Sequence, residues 1–335
     1  MATLKDIAES VGVSVRTVTR ALSGDGYVRA DLRDEIRRVA EQTGYRPDPL
    51  ARSLRLGRTR EIIVVSPSVD ELHMARIASL EQRVRPTGHS VAVVMASTSE
   101  LRSDSLVAEI RSRKPAGVAA VGGPGLDLSA LVNALYSIGV PCIPIDSPTE
   151  YPGVEIDRPA GVAEATEYLI AHDRRCIVYA GPSDSKNRLD GFCAAMERNG
   201  REALAFDPGA ARSRDEFAAG LLDRFPGVDA VQAYSDEWAL ELLAGLHARG
   251  VRVPGDVALI GFDDRWAAAH SWPALTTVAQ PGERIGVAVA ELLTGEQRRL
   301  LDPLLDRDCP RETVRRLGAE LTRRIPTELV VRESA

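Results

Sequence analysis

Asp263 and Asp264 stand side by side at the end of the run VALIGFDD, and a pair of neighbouring carboxylates is the first place to look for acid/base or metal chemistry. The run before them is apolar and strand-like. Successive side chains at a strand end point in different directions, so the two acids are not expected to share one substrate or ion. Little else supports catalysis. The five histidines are scattered, and Cys142, Cys176, Cys193 and Cys309 show no C-x-x-C spacing, which fits buried reduced thiols rather than a zinc site or a disulfide framework. No G-x-x-x-x-G-K-[ST], G-x-S-x-G or H-E-x-x-H occurs, and Gly122-Gly-Pro-Gly125 lacks the spacing of a dinucleotide-binding loop. No enzyme is expected, and no cofactor or metal.

Arginine offers a different chemistry. The 335 residues carry a net charge of −6, but residues 1–60 hold 12 Lys/Arg against 8 Asp/Glu, a local +4, and the remainder carries −10. A basic head on an acidic body is the asymmetry of a small domain that meets a polyanion while the rest stays clear of it. The 44% hydrophobic content suffices for a full core and for two or three domains. No run approaches the ~18 apolar residues of a membrane span, and the first ten residues, MATLKDIAES, lack a secretory signal's basic end and apolar core. The expected compartment is the cytoplasm, with no membrane partner.

The head must position those arginines. Thr3-x-x-Asp6 has the form of a capping box, and Leu4, Ile7, Ala8 and Val11 follow at helical spacing. Gly12 ends this helix and Ser14 caps the next, so the β-branched alternation of VGVSVRTVT spans two helices and is no strand. On the second helix Val15, Val18, Ala21 and Leu22 fall to one side, and Arg16, Thr19, Arg20 and Ser23 to the other. A third helix carries Leu32, Ile36, Val39 and Ala40 on one face and closes at Gly44. Two short helices with a tight glycine turn form a helix-turn-helix that presents a polar face to the DNA major groove; spacing alone fits a basic helical bundle equally. In RPDPLARSLRLGRTR, Asp48 caps a helix of under two turns with Leu50, Ala51 and Leu54 on one face and five arginines around it. Too short to persist alone, it is expected to fold against DNA, with Leu54 as a minor-groove wedge; the bland alternative is an Arg-rich linker.

These residues carry a resemblance. T3-L-K-D-I-A-E-S-V-G-V-S-V-R-T-V-T-R-A-L with G44-Y-R-P-D-P-L-A-R-S-L resembles the head and hinge of the lactose/galactose repressor family of bacterial transcription regulators. VPGDVALIGFDD (253–264), PALTTVAQP (273–281), R-x-x-G-F at Arg188–Phe192 and IPTELVVRES extend it over nearly the whole chain. The resemblance implies that Val15, Arg16 and Arg20 contact bases and that Ser14, Thr17, Thr19, Ser23 and Tyr45 stand at phosphate-contacting positions. It also implies that Leu50, Ala51, Arg52 and Leu54 form the hinge in the minor groove. Physics agrees for Arg16, because an arginine at the start of a recognition helix can grip guanine O6 and N7 bidentately. Arg29 departs from the serine that usually caps the third helix, and Asp48 from an asparagine near the phosphates.

From Glu61 onward IIVVS, SVAVVMA, GVAAVGG, VPCIPID, RCIVYAG, VDAVQAY and VALIGFD alternate with helical patterns such as Arg158–Ala171 and Asp236–Arg249. The expected fold is therefore an N-terminal all-α helix-turn-helix head on an α/β body of two doubly wound parallel-sheet lobes, resembling the periplasmic-binding-protein fold. The expected divisions are 1–47 for the head, 48–58 for the hinge and 59–335 for the effector and dimerisation domain. Within the last, one lobe takes about 60–156 and 282–322, the other about 157–281 and 323–335. The resemblance places His73, Met74, Arg188, Ser235 and Asp263 in an effector pocket, with Arg188 and Asp263 as a donor and acceptor clamp; an ion pair without a ligand is the alternative. Trp266, Trp272, Phe192 and Phe217 offer ring faces or core packing, and 301–325 reads as an extra surface helix. The expected function is a homodimeric repressor, tetramer left open, that binds a near-palindromic double-stranded DNA operator under control of a small-molecule effector: a sugar, sugar derivative or nucleoside-like compound. A cytosolic small-molecule-modifying enzyme and a solute-binding protein are the competing readings.

Overall fold

The computed structural model describes the chain apart from Met1 and residues 24–26, 46–58, 124–125 and 210–213, and apart from the side chains of Ser23, Lys186 and Arg214. The expected hinge, with Leu50, Ala51, Arg52 and Leu54, lies outside the described residues. Residues 1–59 and 60–335 form two compact units.

The head is built from three helices. In α1 (Leu4–Val11) the Thr3 hydroxyl accepts from the Asp6 N–H at 3.3 Å while the Asp6 carboxylate accepts from the Thr3 N–H at 2.8 Å. This reciprocal cap satisfies two donors that helix geometry leaves orphaned. Gly12, at φ 71°, takes the left-handed turn that stops α1. Ser14 then caps α2 (Val15–Ser23), its hydroxyl accepting from the Thr17 N–H at 3.1 Å. α3 (Ala30–Gln42) starts at Arg29, which gives it no side-chain cap. Ile7, Ala8, Val18, Ala21, Val28, Ile36 and Ala40 close one core between the three helices. Val15 is a correction. The helical wheel groups it with the buried stripe, yet it is 42% exposed, because the core reaches α2 only from Val18 onward.

The body alternates strand and helix: β1 (Glu61–Ser66), α4 (Glu71–Val84), β2 (Ser90–Met95), α5 (Asp104–Arg113), β3 (Gly117–Val121), α6 (Ser129–Ser137), β4 (Cys142–Ile145) and β5 (Val154–Asp157). It continues through α7 (Arg158–Ala171), β6 (Ile177–Ala180), α8 (Lys186–Arg198), β7 (Leu204–Phe206), α9 (Arg214–Arg224), β8 (Ala230–Ala233) and α10 (Asp236–Ala248). Then come β9 (Ala258–Asp263), α11 (Trp266–His270), β10 (Thr276–Ala279), α12 (Gly282–Thr294), α13 (Arg311–Leu321), β11 (Arg323–Pro326) and β12 (Glu328–Val330). Two six-stranded sheets result, ordered β11-β5-β4-β3-β1-β2 and β12-β10-β9-β8-β6-β7. Every pairing is parallel except that of β10 with β12. The central strands are buried throughout, as a parallel sheet covered by helices on both faces requires.

The chain passes between the lobes at β5 to α7, at β10 to α12 and at β11 to β12. The last passage corrects the expected boundary. Residues 323–326 belong to the first lobe's sheet, where Arg323, Arg324 and Ile325 pair in parallel with Val154, Glu155 and Ile156. β5 would otherwise be an open edge, and β11 covers it with Ile325 buried and Arg324 and Pro326 exposed.

Segment 301–325 is also more than a decorated surface. A 3-10 helix, Glu296–Leu305, buries Leu301 and Leu304, and α13 buries Val314, Leu317, Gly318 and Leu321, an i, i+3, i+4, i+7 stripe sealed onto the first lobe's core. Gly318 permits this approach: a Cβ there would lie 2.1 Å from the Glu150 carbonyl oxygen, a backbone atom that cannot swing aside. Gly318→Ala is therefore expected to destabilise the body by about 1–3 kcal/mol despite its better helix propensity. A melting curve no lower than wild type would show that α13 can lift away at no cost.

Candidate DNA-reading face and effector cleft

On the head, α2 exposes Val15 and Arg16 in its first turn and Arg20 in its last. Neither guanidinium has an ion-pair or hydrogen-bond partner among the described residues, whereas Lys5 and Arg29 are paired with Glu9 and Asp31. No acid stands in the first turn of α2, so the helix N-terminus and both arginines present unopposed positive potential. The hydroxyls beside them are partly committed. Ser14 Oγ lies 2.8 Å from Thr17 Oγ1 while capping the helix, and Thr19 donates to the Val15 carbonyl at 2.9 Å, leaving oxygen lone pairs but few free donors. Tyr45 is half-buried against the head core, and its N–H donates to the Ala40 carbonyl.

In the body, a cavity of about 490 Å³ opens between loops at the carboxyl ends of strands in both sheets, within the usual range for small-molecule pockets. Asp127 and Asp146 line it from the first lobe, Arg158, Asp184, Arg188 and Tyr234 from the second. Asp146, at φ 62°, and Asp263, at φ 115°, occupy corresponding strand ends in the two sheets, both in backbone regions that cost an L-residue about 1–3 kcal/mol. Each carboxylate is held there by arginine. Arg158 grips Asp146 with two parallel hydrogen bonds, and Arg188 donates to Asp263 at 3.2 Å and to the Tyr234 carbonyl. Arg188 is sandwiched between Tyr234 and Phe262, its guanidinium carbon 4.3 and 4.2 Å from the ring centroids, so its plane is fixed by two cation–π contacts. Gln280 joins the groups: its amide oxygen accepts from Arg76 at 2.8 Å and Arg158 at 3.3 Å, and its nitrogen donates to Asp263.

Burial pulls the Arg76 and Arg188 guanidiniums below their ordinary range, and for Arg158 the embrace of Asp146 outweighs the same burial and shifts it upward. Behind the cleft Asp236 accepts from the Thr277 hydroxyl and, at 2.7 Å, from the Arg265 N–H. Burial nevertheless pushes this carboxyl up to about 7.

The expected pocket residues divide. Arg188 lines the cavity. Asp263 lies just behind it, bound by Arg188 within the same lobe. Ser235 is buried and spends its hydroxyl as the N-cap of α10, accepting from the Trp238 N–H at 3.4 Å. His73 and Met74 are not in the cavity lining. They sit on the first turn of α4, where Nδ1 of His73 approaches Asp70 at 2.7 Å and Met74 is half-exposed. On that side the lobes touch directly, Arg265 donating to Asp70 at 3.3 Å and the Trp266 N–H to Glu71 at 2.8 Å. Phe192 and Phe217 are core, while Trp266 and Trp272 are exposed. Asp146 and Gln280 escaped notice although they close the runs VPCIPID and PALTTVAQ; Arg76 gives no sequence signal. Among the described residues, no group of His, Cys, Asp and Glu could hold a metal ion, and no helix is long and apolar enough to cross a membrane.

A helix-turn-helix head on a chain with a two-lobed cleft is the make-up of a ligand-responsive DNA-binding regulator, and comparison with known proteins gives the same class. Residues 3–48 match the model of the bacterial regulatory proteins of the lacI family, and residues 166–335 a periplasmic binding protein-like domain. The chain is 32% identical over 322 residues to the HTH-type transcriptional regulator CelR of Thermobifida fusca, covering 88% of this chain and 92% of the relative. With the ribose operon repressor of Escherichia coli K12 it shares 28% identity over 331 residues, covering 91% and 98%. A solved transcriptional regulator CelR–cellobiose complex aligns at TM-score 0.62 and 27% identity over 100% of both chains. The lac repressor dimer bound to operator and the anti-inducer ONPF shares the fold at TM-score 0.74 and 23% identity, covering 99% and 98%. The chain belongs to the lacI family and is a DNA-binding transcriptional regulator.

The Asp236 carboxyl gives the body a pH signature. Because its folded pKa is raised, the folded state holds a proton that the unfolded state has released between about pH 4 and 7, and this group's contribution to stability falls as pH rises through that window. The stability difference between wild type and Asp236→Asn, from urea titrations at pH 5 to 7.5, should therefore shift against wild type by on the order of 1 kcal/mol per pH unit. A difference independent of pH would place the Asp236 carboxylate in its ordinary ionised state.

Proposed function

We propose that the protein is a homodimeric repressor acting in the cytoplasm, with two heads reading the half-sites of a near-palindromic operator and a sugar-type effector bound between the lobes. The observation that carries the DNA half of this reading is the exposed trio Val15, Arg16 and Arg20 on a capped helix with no acid in its first turn. Arg16 suits a guanine edge, Val15 a thymine methyl and Arg20 a further base or phosphate. Ser14, Thr17, Thr19, Ser23 and Tyr45 are assigned to the phosphates, where hydroxyls and N–H groups at a helix start serve well. Leu50, Ala51, Arg52 and Leu54 are assigned to the minor groove at the operator centre.

The effector half rests on the cleft. Relatives named a cellobiose-complexed regulator and a ribose operon repressor support a sugar ligand, and Arg188 with Asp127, Asp146 and Asp184 in the cavity lining offers the mixed donors and acceptors that hydroxyls need. A ligand that prefers one arrangement of the lobes shifts operator affinity by its differential affinity for the two, and by nothing more. The relatives are regulators, and we read the cleft as a sensor rather than an active site.

An electrophoretic shift series tests the DNA half. Arg16→Ala should lose roughly 5- to 150-fold in affinity for the natural operator, the equivalent of 1–3 kcal/mol, and far less for random duplex. Equal losses on both would reduce Arg16 to a phosphate contact. For the cleft, an effector should change operator affinity at least fivefold in wild type and much less in Arg188→Met.

A further inference from the structure

The cleft holds more buried positive charge than its own carboxylates neutralise. Arg76, Arg158 and Arg188 are only 5%, 6% and 5% exposed. Asp146 and Asp263 are paired with Arg158 and Arg188, which leaves Arg76 without an ion pair within 4 Å among the described residues, Asp146, Asp263 and Asp70 acting on it only from longer range. Asp236 does not fill the gap: it bonds Thr277 and the Arg265 backbone, and burial drives it towards its neutral form. The Nε–H groups of all three arginines are also buried with no acceptor among the described residues. An isolated buried charge is costly unless paired, so the arrangement is incomplete by one anion.

The position for that anion is marked. The Gln280 amide oxygen, neutral, stands between the guanidiniums of Arg76 and Arg158 and accepts from both, the role an anionic oxygen would take. Arg158 and Arg188 line the 490 Å³ cavity, with Arg76 and Gln280 directly behind Arg158 and outside the lining, and the same lining carries the exposed Asp127, Asp184 and Asn187, acceptors and amides suited to hydroxyl groups. We propose that the effector is an acidic sugar, a polyhydroxy carboxylate or sugar phosphate, whose anionic group displaces the Gln280 oxygen from the Arg76, Arg158 and Arg188 cluster while its hydroxyls meet the acidic rim. This rests on the cleft being a sugar site and sets the charge of the ligand. The position suits a switch, because Arg158 and Gln280 lie on two of the three passages between lobes, β5 to α7 and β10 to α12.

Calorimetric titration of the full chain with three matched pairs tests the charge: gluconate against sorbitol, galacturonate against galactose, and glucose 6-phosphate against glucose, with inorganic phosphate as the anion alone. The pairs separate a carboxylate from a phosphate source. At least one acidic member should bind tenfold or more tightly than its neutral partner, and lose tenfold or more in Arg76→Gln and in Gln280→Glu. Gln280→Glu is read through ligand affinity and not through stability, because its new carboxylate would also face Asp263, which accepts from the Gln280 nitrogen. A neutral partner bound as well as its acid, or an acidic ligand whose affinity is unchanged in Arg76→Gln, overturns the acidic assignment and leaves the sugar site standing. No binding by either member of any pair overturns the sugar site and the assignment together.

Discussion

The body depends on a hydrogen-bonded knot of guanidinium, carboxylate and amide groups at the seam between two lobes that share no apolar core. Each lobe is closed on its own: Ile62, Val118, Ile143 and Ile285 belong to one cluster, Val178, Val231 and Leu259 to another. What crosses the seam is polar, Arg158 to Asp146, Arg76 to Gln280, Arg265 to Asp70 and the Trp266 N–H to Glu71. Apolar burial of that extent is not undone by a small ligand, whereas polar contacts net about 0.5–3 kcal/mol each and can be exchanged for equivalent ones. The relative position of the lobes is thus open to a ligand that competes for those groups, while each lobe stays rigid.

The head follows the opposite logic. Its contacts are local and cooperative, a capping box, a glycine stop, a serine cap and one small core, so the polar face of α2 is presented on a scaffold that its own side chains do not help to build. Val15 shows the division: excluded from the core by one turn, it is left with Arg16 and Arg20 on the outer face. A residue so placed contributes little to the head's core.

Much of this was legible in the chain. Thr3 with Asp6, Gly12 and Ser14 announce the start and stop of helices because capping is a short-range matter of donors and acceptors. The apolar runs from IIVVS to VALIGFD announce the central strands because a parallel sheet buries both faces. Short strands escaped. β5, β7 and β11 carry mixed or weak patterns, and only pairing with a neighbour makes them strands, so the lobe that claims residues 323–326 is not written in their pattern. The cleft was half legible: Arg188 and Asp263 stand out by motif, while Arg76, Asp146 and Gln280, distant in sequence, meet only when the three passages bring the lobes together.

The sequence by itself determined what neighbours along the chain decide: helix ends, strand cores, the basic head on the acidic body, and the arginines free to meet DNA. The tertiary structure alone decided which lobe claims the last strands, that α13 seals a core through Gly318, and that three buried guanidiniums face two carboxylates. The reason is one of range. Caps and periodicity act over a few residues, whereas the balance of buried charge is a property of space, summed over side chains as far apart in the chain as Arg76 and Gln280.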